Sequence, residues 1–122
     1  MMVQNPGGDV MSIAGDLIRG HTEAIILARL MQQDSYGYEI GKAVSQKSGG
    51  KLELKEATLY TAFRRLEQGG FVTSYWGSEA SGARRRYYAI TDAGRAEYHR
   101  LLEEWQDTKT IMDKLLRAEE IL

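Results

Sequence analysis

The chain has 122 residues, 43% of them hydrophobic, enough for one domain with a single modest core and too short for a second independent one. Sixteen lysines and arginines against 17 aspartates and glutamates leave a net charge of -1, so a polyanionic partner would have to meet positive charge that is concentrated locally. The absence of cysteine excludes disulfide frameworks, thiolate nucleophiles and Cys-based metal sites. No apolar run nears the roughly 18 residues of a membrane span, and Met1 to Gly15 lacks the basic-then-apolar order of a signal peptide, so a cytoplasmic protein with no membrane partner is expected.

In chain order, residues 1–15 carry Pro6, Gly7, Gly8 and Gly15 and read as a flexible tail. Asp16 is a candidate N-cap for a first helix to about Gln33, with Leu17, Ile18, Ile25, Ile26, Leu27, Leu30 and Met31 at helical spacing. After a polar break at Asp34 and Ser35, Tyr36, Ile40, Ala43 and Val44 predict a second helix over Tyr36 to Ser48, stopped by Gly49 and Gly50. Lys51 to Leu54 alternates like a short strand. A third helix is predicted from Glu56 to Gln68, with Leu59, Ala62, Phe63 and Leu66 on one face and Gly69-Gly70 ending it.

Phe71 to Trp76 and Arg84 to Ile90, joined by turn residues Gly77 to Ala83, predict a β-hairpin. Thr91 caps a last helix that reaches the C-terminus, with Gly94 its weak spot. The result is a mainly α fold with a small hairpin wing. That order fits a winged helix-turn-helix over 16–90, in which the third helix enters the major groove, followed by one long C-terminal dimerisation helix over 91–122.

The third helix turns Leu59, Phe63 and Leu66 to one side and leaves Ala57, Thr61, Arg64, Arg65 and Gln68 on the other, flanked by Thr58 and Tyr60. Arginines for phosphate or guanine, and hydroxyls and methyls for phosphate and thymine, suit a recognition helix, although a solvated amphipathic helix has the same pattern. Arg84, Arg85 and Arg86 follow the hairpin turn, with Arg84 and Arg86 on one face and Arg85 on the other, where a narrow groove would attract them. From Tyr36 to Ile90 nine basic residues, among them Lys55, oppose five acids, so that segment is +4 and the remainder about -5. The neutral total conceals a basic half. The expected DNA-contacting residues are Lys55, Thr58, Tyr60, Thr61, Arg64, Arg65, Arg84, Arg85 and Arg86.

In the last helix Tyr98, Leu101, Trp105, Thr108, Met112 and Leu115 repeat at 3, 4, 3, 4, 3, with Leu102 and Leu116 adjoining. This stripe needs a partner, either the first helix or the same helix of a second subunit. Both are expected, with Leu101, Trp105, Met112, Leu115 and Leu116 at the dimer interface; a two-fold pair would set two recognition helices about 34 Å apart over a palindrome. Trp105 reads either as a dimer-core residue or as a flat platform for a planar ligand.

An architectural or protein-interaction module remains an alternative to a DNA-binding regulator. An enzyme is disfavoured. His21 and His99 are the only histidines, each expected on a helix surface, and neither metal-ligand spacing nor a phosphate-binding glycine loop is present, so no cofactor is expected.

Tyr36-Gly37-Tyr38-Glu39, Glu56-Ala57-Thr58-Leu59-Tyr60, Arg64-Arg65-Leu66-Glu67 and Gly82-Ala83-Arg84-Arg85-Arg86-Tyr87-Tyr88 followed by Thr91, in that order and spacing, resemble the PadR family of transcriptional regulators. The resemblance spans about Ile18 to Leu116, and the single C-terminal helix is similar to that of the short subfamily. Ser74-Tyr75-Trp76-Gly77, the wing and Trp105 are similar to the multidrug-binding repressors of that group. In those repressors a tryptophan from each subunit sandwiches planar aromatic drugs. The resemblance thus implies a homodimeric repressor with Trp105 as platform and Tyr98, Leu102, Lys109, Ala24 and Ala28 as wall candidates. Where the drug sensors tend to carry an acid one turn beyond the tryptophan, this chain has Lys109, so a neutral or anionic aromatic ligand fits as well as a cation.

Overall fold

The computed structural model describes residues 20–78, 82 and 84–117. The expected tail 1–15, the cap at Asp16, Leu17, Ile18 and the turn residues Ser81 and Ala83 lie outside them. Among the described residues, four helices and three strands follow in the order α1 (Thr22–Leu30), β1 (Ser35–Tyr36), α2 (Gly37–Lys47), α3 (Glu56–Gln68), β2 (Val72–Ser78), β3 (Arg84–Ile90) and α4 (Asp92–Leu116). The strands form one antiparallel sheet in the order β1-β3-β2.

Both α2 and α3 stop by the same device. At the end of α3, Gly70 takes φ 78° while its N–H donates to the Glu67 carbonyl (3.1 Å) and the Phe71 N–H reaches the Leu66 carbonyl (2.9 Å). At the end of α2, Gly49 takes φ 66°, with Gly49 N–H on Gln46 O (3.1 Å) and Gly50 N–H on Ser45 O (2.7 Å). These paired bonds satisfy carbonyls that the helix end leaves open, and the left-handed backbone they require favours glycine.

The core joins three helices to the sheet. Ile26, Leu27 and Leu30 of α1, Ile40 of α2, Leu59, Phe63 and Leu66 of α3, and Val72 and Tyr88 of the sheet are buried together. Burying side chains of this size contributes about 1.5–3 kcal/mol each, far more than the surface ion pairs. Leu54, Phe71, Ile90, Tyr98 and Leu101 pack around this cluster.

Three expectations are corrected. The first helix is interrupted within its expected span: Gly20 and His21 form a turn, α1 covers Thr22–Leu30, and after it the chain turns through Met31–Gln33. Residues Lys51 to Leu54 form no strand. The place beside β3 is taken by Ser35, expected in a polar break, and Tyr36, expected to open the second helix, which pair with Tyr88 and Tyr87. The alternation at 51–54 instead reflects a loop held by Leu54 against the core and by the Leu52 N–H on Ser48 Oγ (3.0 Å). Gly77 and Ser78, expected in the turn, extend β2 opposite Arg85 and Arg84.

Gly94 is required rather than weak. The first turn of α4 presses on the carbonyl of Phe71, and a Cβ at position 94 would lie 2.1 Å from that oxygen. The approach is fixed by Thr91: its N–H donates to the Phe71 carbonyl (3.0 Å), its hydroxyl donates to the Gly70 carbonyl (2.7 Å), and the same oxygen accepts from the Gly94 N–H (3.0 Å). Gly94→Ala is expected to destabilise the fold by about 1–3 kcal/mol or more despite alanine's higher helix propensity, measured by urea unfolding.

Candidate nucleic-acid interface

Residues directly opposite in an antiparallel pair share a face. Val72, Ser74 and Trp76 therefore lie with Ile90, Tyr88 and Arg86 on the face of the hairpin turned to α3, while Thr73, Tyr75 and Gly77 lie with Ala89, Tyr87 and Arg85 on the other. Along the inner face the character changes from apolar at the root to cationic and aromatic at the tip. Val72 and Tyr88 are buried, whereas Trp76, Arg84 and Arg86 are exposed.

The root is joined to α3 by a stack of Phe63 on Tyr88, with ring centroids 3.9 Å apart and planes 4° from parallel. Burial raises the Tyr88 phenol above its ordinary pKa. Above the stack, Ser74 Oγ donates to Glu67 Oε2 (2.8 Å), Arg86 donates to Ser74 Oγ (2.9 Å), and Arg86 pairs with Glu67 at 3.6 Å. A carboxylate of α3 thus holds the wing's third arginine.

Each wing arginine lies over an aromatic ring. Arg84 covers Trp76 at 5.1 Å, Arg85 covers Tyr36 at 4.8 Å, and Arg86 covers Tyr88 at 5.8 Å. On the outer face Tyr87 stacks on Tyr75 (5.6 Å, 11°) and meets Tyr36 edge-on (5.2 Å). The Tyr75 hydroxyl donates to Asp34 (2.7 Å), a bond that raises its pKa. Gly77 lies against the Tyr87 ring, which a Cβ there would meet at 2.6 Å.

Between α2, α3 and the hairpin opens a cleft of about 670 Å³, to which Tyr38, Tyr60, Trp76 and the three wing arginines contribute. A smaller recess of about 150 Å³ lies between Tyr60, Arg64, Glu67, Arg86 and Tyr88. Of the expected DNA contacts, Tyr60, Arg64 and the wing arginines converge here. Lys55, Thr58 and Thr61 lie at the N-cap, first turn and exposed side of α3, the Thr61 hydroxyl donating to the Ala57 carbonyl (3.0 Å). Arg65 is set apart: it reaches back to Glu23 of α1 at 3.8 Å.

The second candidate region is α4. Its first half packs on α1, and Leu101 and Tyr98 lean on the core, so Leu101, expected at a dimer interface, is engaged within the chain. From Glu103 onward every described side chain is exposed, including Trp105, Met112, Leu115 and Leu116 and also Ile111, which the heptad spacing passes over. Trp105 meets His21 edge-on at 5.1 Å. His21, expected on the open surface of a helix, is instead the half-buried residue before α1. Ala24, Ala28 and Leu102 are half-buried and Lys109 is exposed, while Asp113 is paired with Arg117 at 3.3 Å.

Residues 26–100 match the model of the transcriptional regulator PadR-like family. The chain belongs to this family. It is 45% identical to a transcriptional regulator of Clostridium thermocellum, whose structure superposes with a TM-score of 0.77 over 84% of this chain and 99% of that one. A PadR family regulator of Clostridium difficile R20291 is 33% identical over 79% of this chain and 98% of that one, with a TM-score of 0.67. An uncharacterized protein of Lysinibacillus sphaericus is 39% identical over 87% of this chain and 97% of its own length. The PadR-like chain is accordingly a DNA-binding transcriptional regulator, and its family's role is regulatory rather than enzymatic. Among the described residues no helix is long and apolar enough to cross a membrane.

The link between Glu67 and Arg86 predicts a measurable coupling. Their side chains are 38% and 41% exposed, so solvent screens the pair. A double-mutant cycle of Glu67→Gln and Arg86→Gln, read by urea unfolding, is expected to give about 0.2–1 kcal/mol.

Proposed function

We propose that this PadR-like regulator is a homodimeric repressor of the short, single C-terminal-helix form that binds a palindromic operator and is modulated by a planar aromatic ligand at the dimer interface. The observation that carries the DNA-reading part is the convergence of α3 and the wing on one face. Tyr60 and Arg64 lie beside three arginines whose guanidinium groups lie over aromatic rings. In this reading Thr58, Tyr60, Thr61 and Arg64 meet base edges and backbone in the major groove, Lys55 meets phosphate, and the wing arginines meet the flanking minor groove. Arg65, paired with Glu23, serves the phosphate backbone beside α1.

The dimer reading rests on the far half of α4. Ile111, Met112, Leu115 and Leu116 are 45–74% exposed, an apolar face on a helix that has left the core. A second copy related by a two-fold axis covers the same stripe with itself. Residues 16–90 then form the DNA-binding unit and 91–122 the dimerisation helix.

Ligand modulation rests on Trp105, 43% exposed with its edge on His21, at the point where α4 leaves α1. Ala24, Ala28, Tyr98 and Leu102 supply small or apolar walls, and Lys109 stands one turn away. A ligand that stacks there and favours one spacing of the two subunits shifts operator affinity by its difference in affinity for the two spacings.

Tyr60→Ala and Arg84→Ala are each expected to weaken binding to the protein's own promoter about tenfold or more in fluorescence anisotropy, with Arg84→Ala also reducing the salt slope by about one. DNA binding without sequence preference would indicate an architectural role instead. Leu115→Asp is expected to convert the dimer to monomer in sedimentation velocity. For the ligand, aromatic compounds should quench tryptophan emission in the native protein and lose most of that effect in Trp105→Ala, where only Trp76 remains.

A further inference from the structure

We infer that the cleft between α2, α3 and the wing is a binding site for a nucleoside monophosphate, whose occupancy excludes DNA from the same face. The exclusion rests on the DNA-reading surface proposed above; the site itself does not.

Its size comes first. A cleft of about 670 Å³ falls within the range of small-molecule sites and accommodates one base, one sugar and one phosphate.

Its walls are aromatic where solubility alone would favour polar groups. Tyr38, Tyr60 and Trp76 are 71%, 58% and 60% exposed, and all three line the cleft. Among the described residues, the other exposed large apolar side chains are Tyr75 and the α4 group of Trp105, Ile111, Met112, Leu115 and Leu116. The cleft therefore gathers most of the exposed aromatic surface outside α4. Such rings stack on any base face.

Its charge is polarised. The hairpin side carries Arg84 and Arg86, oriented by the rings beneath them and, for Arg86, by Ser74 and Glu67. A guanidinium fork held in place matches phosphate oxygens in pairs. The helical side carries Glu53 and Glu56 together with Lys42. Carboxylates there repel a second phosphate and accept from amino or hydroxyl donors.

A ligand that satisfies all three features has one anionic end, a flat ring and hydrogen-bond donors at its other end. Inorganic phosphate lacks the ring and a nucleoside lacks the anion.

The test is calorimetric titration of the full chain without DNA, using adenosine 5′-monophosphate, adenosine and inorganic phosphate in parallel. The monophosphate is expected to bind once per chain and at least about tenfold more tightly than either fragment. Trp76→Ala should weaken it about tenfold. In the native protein the monophosphate should displace a promoter fragment with an inhibition constant equal to its dissociation constant.

A monophosphate no tighter than phosphate, or one unaffected by Trp76→Ala, overturns the site. Saturable binding that leaves bound promoter DNA in place overturns the exclusion. If Trp76-dependent monophosphate binding is seen and promoter binding is absent, the site stands and the DNA-reading surface proposed above falls.

Discussion

The position of the wing depends on the stack of Phe63 on Tyr88. A hairpin of two seven-residue strands has little independent stability, and its orientation must come from what its root packs against. Here two rings lie parallel at 3.9 Å, one from the middle of α3 and one from the central strand. The face of α3 opposite Phe63 and the tip of the hairpin beyond Tyr88 are thereby set relative to each other. The Ser74, Glu67 and Arg86 contacts then fix the hairpin against rotation about that stack.

The same arrangement explains how a chain with net charge -1 presents a basic surface. Three consecutive arginines would repel one another and lose much side-chain freedom on binding. Laid over Trp76, Tyr36 and Tyr88, they are partly ordered beforehand, and each ring offsets some of the repulsion by a cation–π attraction of about 0.5–1 kcal/mol at an exposed site. The surplus of acids resides elsewhere, as in the Glu97, Arg100 and Glu104 cluster of α4, where the hydrogen bond from Arg100 holds the Glu97 carboxyl below its ordinary pKa.

What the sequence revealed was what short-range signals carry. Both ends of α3 were legible because Glu56 opens a run of helix formers and Gly69-Gly70 closes it with a left-handed turn. The start of β3 and the Thr91 cap were legible for the same reason. The strand at Ser35–Tyr36 was not, since two residues show no alternation and owe their state to pairing with residues more than fifty positions away. The arginines could be nominated by type, but their rings could not be assigned. Whether Arg86 or Arg65 meets an acid is decided by tertiary packing, and so is the edge-on approach of His21 to Trp105. Gly94 misled because helix propensity is a local property and the carbonyl of Phe71 is not a local neighbour.

Thr91 joins three elements with three hydrogen bonds: the end of α3 through Gly70, the start of β2 through Phe71 and the first turn of α4 through Gly94. Its mechanical meaning is that of a welded elbow rather than a hinge. An α4 of 25 residues is an arm of about 37 Å, so a tilt of about 5° at its far end displaces the reading head by about 3 Å, close to one base-pair step. In the proposed dimer, a small rotation between two paired arms would suffice to put both heads out of step with DNA, without bending anything inside either subunit.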